Sequence, residues 1–322
     1  MGTSTRSIAS KALIALPILV KILGETAYPW LPVFHDASFY IVSGLNLLGI
    51  IDCFRQYTLS RPPLIPLLFS SAYLLGNFVL VKIISILLYA LTMAIFLKIF
   101  RGEKPYMLAL FFLNPLIMKV GIELIPMTLS LAVIMYAYEK RNWPLMLLST
   151  FIHEVAIVYI FWFSMVERRF KDIIYSIPAS AYLMVTGMLS SRLLNAFWKP
   201  NIPLSIAFMA LGLCQLLLAR LYKHGFFAFF AGLSFLNNPF SELTITRVLA
   251  LLLIGILVER FNIGLKATVA LYTITAMLTI ILFPNFFYIP PAPEVLRLLK
   301  PDLNLLFKRS DLAYYACLFE SS

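Results

Sequence analysis

The chain has little charge for its length. Of its 322 residues only 13% are charged, with 15 acidic side chains against 26 basic ones, whereas 61% are apolar and the mean hydropathy is +0.90. Soluble globular proteins carry about 25% charged and about 45–50% apolar residues. A soluble fold of this size needs a largely polar surface, so the composition excludes a soluble enzyme and a disordered chain. It is typical of a polytopic membrane protein.

Cysteines are few, and the common nucleotide-binding and zinc-binding motifs are absent. The three cysteines, Cys53, Cys214 and Cys317, have neither the spacing of a CxxC pair nor that of a zinc site, and we interpret them as scattered thiols. The chain contains no Walker loop, no dinucleotide-binding fingerprint and no HExxH zinc motif. The net charge of +11 does not indicate nucleic-acid binding, because lysine and arginine orient membrane proteins in the bilayer.

Long apolar segments predict the membrane crossings, since a spanning helix needs about 20 apolar residues. Segment 62–99 is compatible with one long helix, a helical hairpin, or an interfacial helix followed by one crossing. Segment 142–166 is compatible with one crossing or with two short helices that meet near His153 and Glu154. The full set of apolar segments is 10–33, 62–99, 104–120, 125–138, 142–166, 172–190, 202–220, 224–237, 244–259 and 264–284.

The distribution of basic residues selects between these alternatives, because cytoplasmic loops are enriched in Lys and Arg. In the topology that we consider, segment 62–99 crosses the membrane once, and segment 142–166 crosses it twice and returns to the cytoplasmic side. Thirteen basic residues then face the cytoplasm: Arg6, Lys11, Arg101, Lys104, Lys140, Arg141, Arg168, Arg169, Lys171, Arg220, Lys223, Arg260 and Lys266. Six lie opposite up to residue 285: Arg55, Arg61, Lys119, Arg192, Lys199 and Arg247. We predict an all-helical bundle of about eleven crossings with the N-terminus inside and the C-terminus outside.

The predicted organisation has three parts. Residues 1–170 form a module with a long external loop at 34–61, residues 171–285 add further transmembrane helices, and residues 286–322 form an external tail. Apolar residues of the loop between Phe39 and Ile51 repeat at helical spacing, which predicts a helix along the membrane interface. The tail is expected to form an amphipathic helix from Glu294 to Phe307.

Ionisable side chains gather at the outer ends of the predicted helices. Such groups are costly within or beside a bilayer and usually mark a site or a polar pathway. One extracytoplasmic cavity that carries both carboxylates and basic groups is the simplest interpretation. The residues are His35, Asp36, Asp52, Glu123, His153, Glu154, Arg192, Lys199, Glu242 and Arg247.

Several short motifs follow one another over residues 30–170. They are Asp36-Ala37-Ser38 with the nearby Tyr40, Arg61-Pro62-Pro63-Leu64-Ile65-Pro66-Leu67, Gly76 followed by Lys82, Asn114-Pro115 before Glu123, and His153 between two short segments. In this order they resemble the GT-C membrane glycosyltransferases, with the nearest likeness to the glycosylphosphatidylinositol mannosyltransferase I family. These enzymes transfer sugars from a polyprenyl phosphate on the outer or lumenal side. The resemblance implies a GT-C-like bundle.

The resemblance also implies roles for individual residues. Asp36 is expected to accept the proton of the attacking acceptor hydroxyl. Arg61, Lys82 and Arg247 are candidates to balance the phosphate charge of the donor. Glu123 and His153 are further catalytic candidates that orient the acceptor or the base. His35, Glu154 and Tyr40 are expected to line the acceptor cavity. No metal site is predicted, and the participation of a divalent cation stays open.

Each candidate residue has a structural alternative. Asp36 is compatible with an N-cap of the loop helix, Arg61 and Lys82 with snorkelling, and His153-Glu154 with a buried polar pair. Arg247 is compatible with an ion pair to Glu242. The sequence also departs from the family pattern. His35-Asp36 replaces a paired acidic motif, no lysine follows His153, and Lys119-Val120-Gly121 only loosely replaces an Arg-Gly stretch. An altered donor, a distant subfamily and an inactive relative all stay open.

We therefore expect a mannosyltransferase-like enzyme in a prokaryotic plasma membrane or the endoplasmic reticulum membrane. Its expected partners are the bilayer, a polyprenyl-phosphate sugar such as a dolichol derivative, and a lipid or glycan acceptor, with no nucleic acid and with room for a small membrane partner subunit. One alternative is a polysaccharide polymerase, although no arginine occurs between residues 120 and 138, where that family usually has one. Another is a transporter of lipids or lipid-linked sugars.

Overall fold

Helices make up the part of the chain that the structure describes, and no strand occurs there. The computed structural model describes residues 3–34, 36–59, 61–99, 121–123, 125–154, 169–186 and 288–320, with single helical residues at 118, 156–157, 160, 164, 269–270, 273 and 276–277. The all-helical class predicted from the sequence is confirmed for these residues. The helices are Thr3–Ala27 (α1), Ala37–Leu47 (α2), Arg55–Thr58 (α3), Leu64–Ile99 (α4), Ile125–Lys140 (α5), Trp143–Ile152 (α6), Ile177–Val185 (α7), Pro293–Leu296 (α8), Leu303–Lys308 (α9) and Ser310–Glu320 (α10), with a 3-10 helix at Phe170–Ser176.

The chain divides into two compact units. One comprises Ile14–Lys98, Gly121–Met188 and Asn285–Ser322. It therefore contains the loop 34–61, which was predicted to be external, the segment around His153, the C-terminal tail and nearly all of the helices just named. The other comprises Met1–Leu13, Ile99–Val120 and Leu189–Pro284, which lie mostly outside the described residues.

Helix α4 is long and apolar enough to cross a membrane. It has 36 residues, and its mean hydropathy reaches 2.4. In the described part of the chain, α4 is the one helix that meets both criteria. The helix is broken at Gly76 and Asn77, whose backbone angles are not helical, and Asn77 has a positive φ of 52°. The 22 residues from 78 to 99 alone would extend about 33 Å, which matches the apolar thickness of a bilayer. The break agrees with the predicted alternative in which a short helix precedes one crossing.

Helix α2 confirms the helix predicted in the external loop, but it is buried almost all round. Tyr40 and Ile41 are at most 1% exposed, and polar Ser43 and Asn46 are also fully buried. A helix with no exposed face belongs to a core rather than to a surface. The reason is that α4 and α10 cover it, and the side chains of all three helices join in one apolar cluster.

A close approach between α2 and α4 occurs at Gly44. A Cβ atom built on Gly44 would lie 2.6 Å from Cβ of Ser70 and still closer to the carbonyl oxygen of Pro66. The first of these contacts is with the side chain and the second with the backbone of α4. Glycine at this position therefore permits the packing that brings the start of α4 against the loop helix.

Gly44→Ala is expected to destabilise the protein by about 1–3 kcal/mol or more, because the new methyl group overlaps backbone atoms that cannot move alone. Gly24→Ala is the matched control: its Cβ would meet no atom nearer than 4.0 Å, and it lies inside α1. There the better helix propensity of alanine is expected to be neutral or to stabilise by up to about 1 kcal/mol. Thermal unfolding in detergent compares the two, and equal effects would contradict the close packing.

Helices α5 and α6 form a hairpin beside this core. Asn142 caps α6, accepting a hydrogen bond from the backbone N–H of Leu145 at 3.2 Å. Ser130 of α5 donates to the carbonyl oxygen of Ser149 at 3.0 Å. Helix α6 ends at Ile152, and His153 has an extended backbone. Segment 142–166 is therefore interrupted at His153, as in the predicted alternative of two short helices.

The C-terminal tail differs from the continuous amphipathic helix predicted over 294–307. Two short helices, α8 and α9, occupy this stretch, and residues 297–302 between them are not helical. Pro301 is the physical reason, because proline disfavours helical geometry at the preceding residue and lacks a backbone N–H. The tail then ends in α10, whose residues Ala313 to Leu318 are buried against α2.

The interpretation of all three cysteines as scattered thiols is wrong. Cys53 and Cys317, 264 residues apart, form a disulfide with a Cα–Cα distance of 6.1 Å. Their spacing resembles no known motif because the pairing depends on the tail folding back on the loop. By constraining so long a loop in the unfolded chain, such a bond stabilises by up to about 5 kcal/mol. The loop and the tail are thus covalently joined.

Candidate functional site

Asp36 lies at the start of α2 but does not act as its cap. It occupies the N-cap position, yet its carboxylate makes no capping hydrogen bond, and its backbone oxygen accepts one from the N–H of Tyr40 at 3.0 Å. The side chain is partly exposed, whereas Ala37 beside it is fully buried. The capping alternative for Asp36 is therefore not supported.

Arg61 joins two other candidates in one buried cluster. Its guanidinium forms an ion pair with Oε1 of Glu154, and Oε2 of Glu154 lies 3.4 Å from Nδ1 of His153. The side chains of these three residues are 8–13% exposed. Arg61 also stacks on the ring of Phe39, 5.0 Å from its centre. The break between α6 and the residues after it brings His153 and Glu154 to the end of the external loop.

The C-terminal tail forms another side of the same region. Ser38, two residues after Asp36, donates a hydrogen bond to the backbone oxygen of Asp311 at 3.2 Å. Oδ2 of Asp311 accepts a hydrogen bond of 3.0 Å from the Tyr288 hydroxyl and another of 3.0 Å from Arg309. The carboxylate of Asp311 is therefore held from two sides beside the first turn of α2.

Burial and nearby charges, Asp36 among them, raise the pKa values of Tyr288 and Tyr314 in the tail. Burial is the main cause that raises the pKa of Tyr288 well above its usual range, and Asp311 and, more weakly, Asp36 add to it. Burial also raises the pKa of Tyr314 to about 12; there Arg61 lowers it and Asp36 raises it. Both hydroxyls stay protonated at neutral pH and can donate hydrogen bonds. Tyr314 thus lies in the field of both Asp36 and Arg61.

Glu123 is linked to this region through the tail. It is 7% exposed, and its Oε1 accepts a hydrogen bond from the backbone N–H of Tyr288 at 2.9 Å. The same Tyr288 reaches Asp311 with its hydroxyl group. Tyr288 therefore bridges Glu123 and the residue that contacts the N-terminal turn of α2.

Lys82 is engaged with the C-terminal end of α1. Its ammonium donates to the carbonyl oxygens of Glu25, at 2.7 Å, and of Tyr28, and lies 3.9 Å from the Glu25 carboxylate. Last-turn carbonyls have no partner within their helix, and a cation is favourable there. Glu25 also pairs with Lys21 and accepts a hydrogen bond from the N–H of Val33 at 2.9 Å. Neither Lys21 nor Glu25 was among the predicted site residues.

Of the remaining predicted residues, Tyr40 is the one that lies in the described part of the chain. Tyr40 is 1% exposed and packs in the apolar core against Phe39 and Phe69. His35 and Arg247 lie outside the described residues, so their predicted roles stay predictions. In the described ranges, no group of three or more His, Cys, Asp or Glu side chains is arranged to hold a metal ion.

The sequence contained a signal for some of the residues that were missed. Lys21 and Glu25 are spaced four apart inside an apolar segment, which is the spacing of an ion pair on one helix face. Asp311, Tyr288 and Tyr314 had no local signal, because the contacts that link them to Ser38, Glu123 and Phe39 span more than 150 positions. Charged residues inside a predicted span therefore indicate a polar site as much as charged residues at its ends do.

Comparison with known proteins adds no relative. No protein-family model, no curated protein and no solved structure matches the chain.

Proposed function

We propose that this protein is a membrane glycosyltransferase that moves a sugar, with mannose the first candidate, from a polyprenyl-phosphate donor to a hydroxyl of a lipid or glycolipid acceptor. The single observation that carries the proposal is that the guanidinium of Arg61 lies 5.0 Å from the ring centre of Phe39, in the first turn of the helix that Asp36 precedes. A base for the acceptor and a cation for the donor phosphate are therefore both placed at the N-terminal end of α2. The GT-C resemblance of the surrounding loop is the second support.

The proposed reaction forms one bond, breaks another and moves one proton, and Asp36 and Arg61 each have a separate role in it. The acceptor oxygen forms a bond to the anomeric carbon, the bond from that carbon to the phosphate oxygen breaks, and polyprenyl phosphate leaves. Asp36 takes the proton of the acceptor hydroxyl. Arg61 balances the charge that develops on the leaving phosphate, for which its planar guanidinium is suited. Glu154 keeps Arg61 oriented towards Phe39 until the donor binds.

The contacts of the other candidates refine their proposed roles. Glu123 supports the tail through Tyr288, and His153 supports Glu154, so both act behind the reacting groups rather than on them. Lys82 caps the C-terminal end of α1, because its ammonium group donates hydrogen bonds to the carbonyl oxygens of Glu25 and Tyr28. This leaves Arg61, together with the predicted Arg247, as the donor-phosphate residues. A divalent cation and a small partner subunit stay open.

The membrane arrangement is part of the proposal. We keep about eleven crossings, with the loop 34–61 and the tail on the extracytoplasmic side, in a prokaryotic plasma membrane or the endoplasmic reticulum. The Cys53–Cys317 disulfide supports this sidedness, since such bonds persist in oxidising compartments. The broken helix α4 supports a short helix that leads into one crossing.

A transfer assay tests the proposed function directly. The full-length protein in liposomes receives radiolabelled polyprenyl-phosphate mannose and a lipid extract as acceptor, and the appearance of labelled glycolipid is measured together with released polyprenyl phosphate. We expect both products in equal amounts. Intact donor that only changes leaflet would contradict the enzyme and favour the transporter alternative.

Arg61→Lys tests the assignment of the donor phosphate. Lysine keeps the charge opposite Glu154 but loses the bidentate fork, so we expect the KM for the donor to rise about tenfold while the melting temperature changes little. Arg55→Lys is the control, because Arg55 is an exposed arginine of the same loop. An unchanged KM for the donor in Arg61→Lys would remove Arg61 from the donor site.

A further inference from the structure

The ring of Phe39 is contacted by two residues from distant parts of the chain. The Arg61 guanidinium lies 5.0 Å from its centre, and the ring of Tyr314 meets it in an edge-to-face contact at 5.1 Å. Phe39 is in the first turn of α2, three residues after Asp36. Tyr314 therefore reaches the region of the predicted base and the predicted phosphate residue from the C-terminal helix α10.

The position of Tyr314 is secured independently of Phe39. Its ring also contacts Phe54 at 6.1 Å, and Phe54 follows Cys53, which is bonded to Cys317 one turn after Tyr314. Ser38 holds the start of the same helix through the backbone oxygen of Asp311. Tyr314 is 7% exposed, so its ring is fixed by packing on several sides. A residue held this firmly can set the orientation of the side chains that it contacts.

We propose that Tyr314 is a positioning residue for donor binding, holding Phe39 and through it the Arg61 guanidinium in the orientation that receives the donor phosphate. The inference deepens the proposed function and rests on it. It assigns to the C-terminal tail a part in substrate recognition that the sequence pattern of the tail did not indicate. The stacked guanidinium has fewer orientations open to it, which lowers the entropy lost when it binds phosphate.

The alternative is that Tyr314 only fills the core between α2 and α10. Tyr315 offers a matched control for that role. It is the next residue of the same helix, it is fully buried, and its ring contacts Phe78 at 6.1 Å, away from Arg61. Within the described part of the chain its hydroxyl has no hydrogen-bond partner. A purely structural role predicts similar consequences for the two tyrosines.

Tyr314→Leu and Tyr315→Leu are compared in the transfer assay, since leucine fills much of the volume and favours a folded protein. We expect Tyr314→Leu to raise the KM for polyprenyl-phosphate mannose about five- to tenfold, with the KM for the acceptor unchanged. Tyr315→Leu is expected to lower the melting temperature about as much as Tyr314→Leu does. Unlike Tyr314→Leu, it is expected to leave the KM values for donor and acceptor unchanged. Equal changes in donor KM in the two variants would overturn the proposal.

Tyr314→Phe separates the ring from the hydroxyl. Because the ring makes the contact with Phe39, we expect this variant to recover a donor KM close to that of the wild type. A defect as large as that of Tyr314→Leu would contradict positioning through the ring.

A double-mutant cycle of Tyr314→Leu with Arg61→Lys, read on thermal stability, keeps this inference separable from the proposed function. Residues that act through a shared contact give non-additive effects. Coupling between the two changes shows that Tyr314 acts on Arg61 even if no sugar transfer is found; in that case the proposed function fails, and the role in donor binding fails with it. Additive effects would overturn the positioning role whatever the assay of transfer gives.

Discussion

Asp36→Asn is expected to lower kcat for sugar transfer by about 100- to 10,000-fold, the contribution of a positioned general base, with little change in the KM for the donor. Asparagine has nearly the same shape but cannot accept the proton. Since the Asp36 side chain makes no capping hydrogen bond, the substitution removes no helix cap. Because asparagine keeps the size and shape of the side chain, the melting temperature is expected to stay close to that of the wild type. Initial rates with radiolabelled donor at saturating acceptor measure the effect.

Asp52→Asn provides the control for this prediction. Asp52 is an exposed carboxylate of the same loop, 34–61, and its replacement makes the same change in net charge. If the loss of activity reflected only the charge of the loop, both variants would lose it equally. Full activity in a folded Asp36→Asn protein would remove Asp36 from the reaction, and a large loss of thermal stability would return it to a structural role.

The parts of the fold that were predictable are those determined by local sequence. The helical repeat after Phe39 indicates α2 because periodicity is a property of neighbouring residues. The polar pair His153-Glu154 inside an apolar segment marks the end of α6 for the same reason. Burial of α2 was not predictable, because it depends on α10, which is more than 260 residues later in the chain.

The candidate site divides in the same way. Asp36, Arg61, His153 and Glu154 were recognisable as polar residues in unusual positions, and Arg61, His153 and Glu154 do meet. The partner of Cys53 and the role of Asp311 depend on the tail returning to the loop, which a single sequence does not encode locally. Lys82 was identified as unusual, but its partners at the end of α1 decide what its charge does.

The buried charges near the C-terminal end of α1 stabilise the fold and take no part in the proposed reaction. Glu25 is 3% exposed and Lys21 is 1% exposed, so each is removed from water and depends on the other. Glu25 also accepts hydrogen bonds from the hydroxyl of Ser85 at 3.2 Å and from the N–H of Val33. Val33 is three residues before Asp36. The Glu25 carboxylate therefore ties together α1, α4 and the beginning of the external loop.

Glu25→Gln is expected to destabilise the protein by about 3–5 kcal/mol, because it removes the carboxylate that forms the ion pair with the buried Lys21. Glu139→Gln is the matched control: Glu139 pairs with Lys140 at 2.9 Å, but both side chains are more than one-third exposed. Such surface pairs contribute about 0–1 kcal/mol. Denaturant unfolding in detergent micelles measures both variants.

Replacing both members of the buried pair sharpens this prediction. The double variant Lys21→Leu/Glu25→Leu removes both members of the pair, so it is expected to be more stable than Glu25→Leu alone, in which Lys21 keeps its buried charge without Glu25. It still lacks the acceptor for Val33, and sugar transfer is expected to remain reduced because the loop before Asp36 loses its anchor. Equal stabilities of the single and double variants would show that Lys21 does not depend on Glu25. Wild-type transfer by the double variant would show that Asp36 is positioned without the Val33 contact.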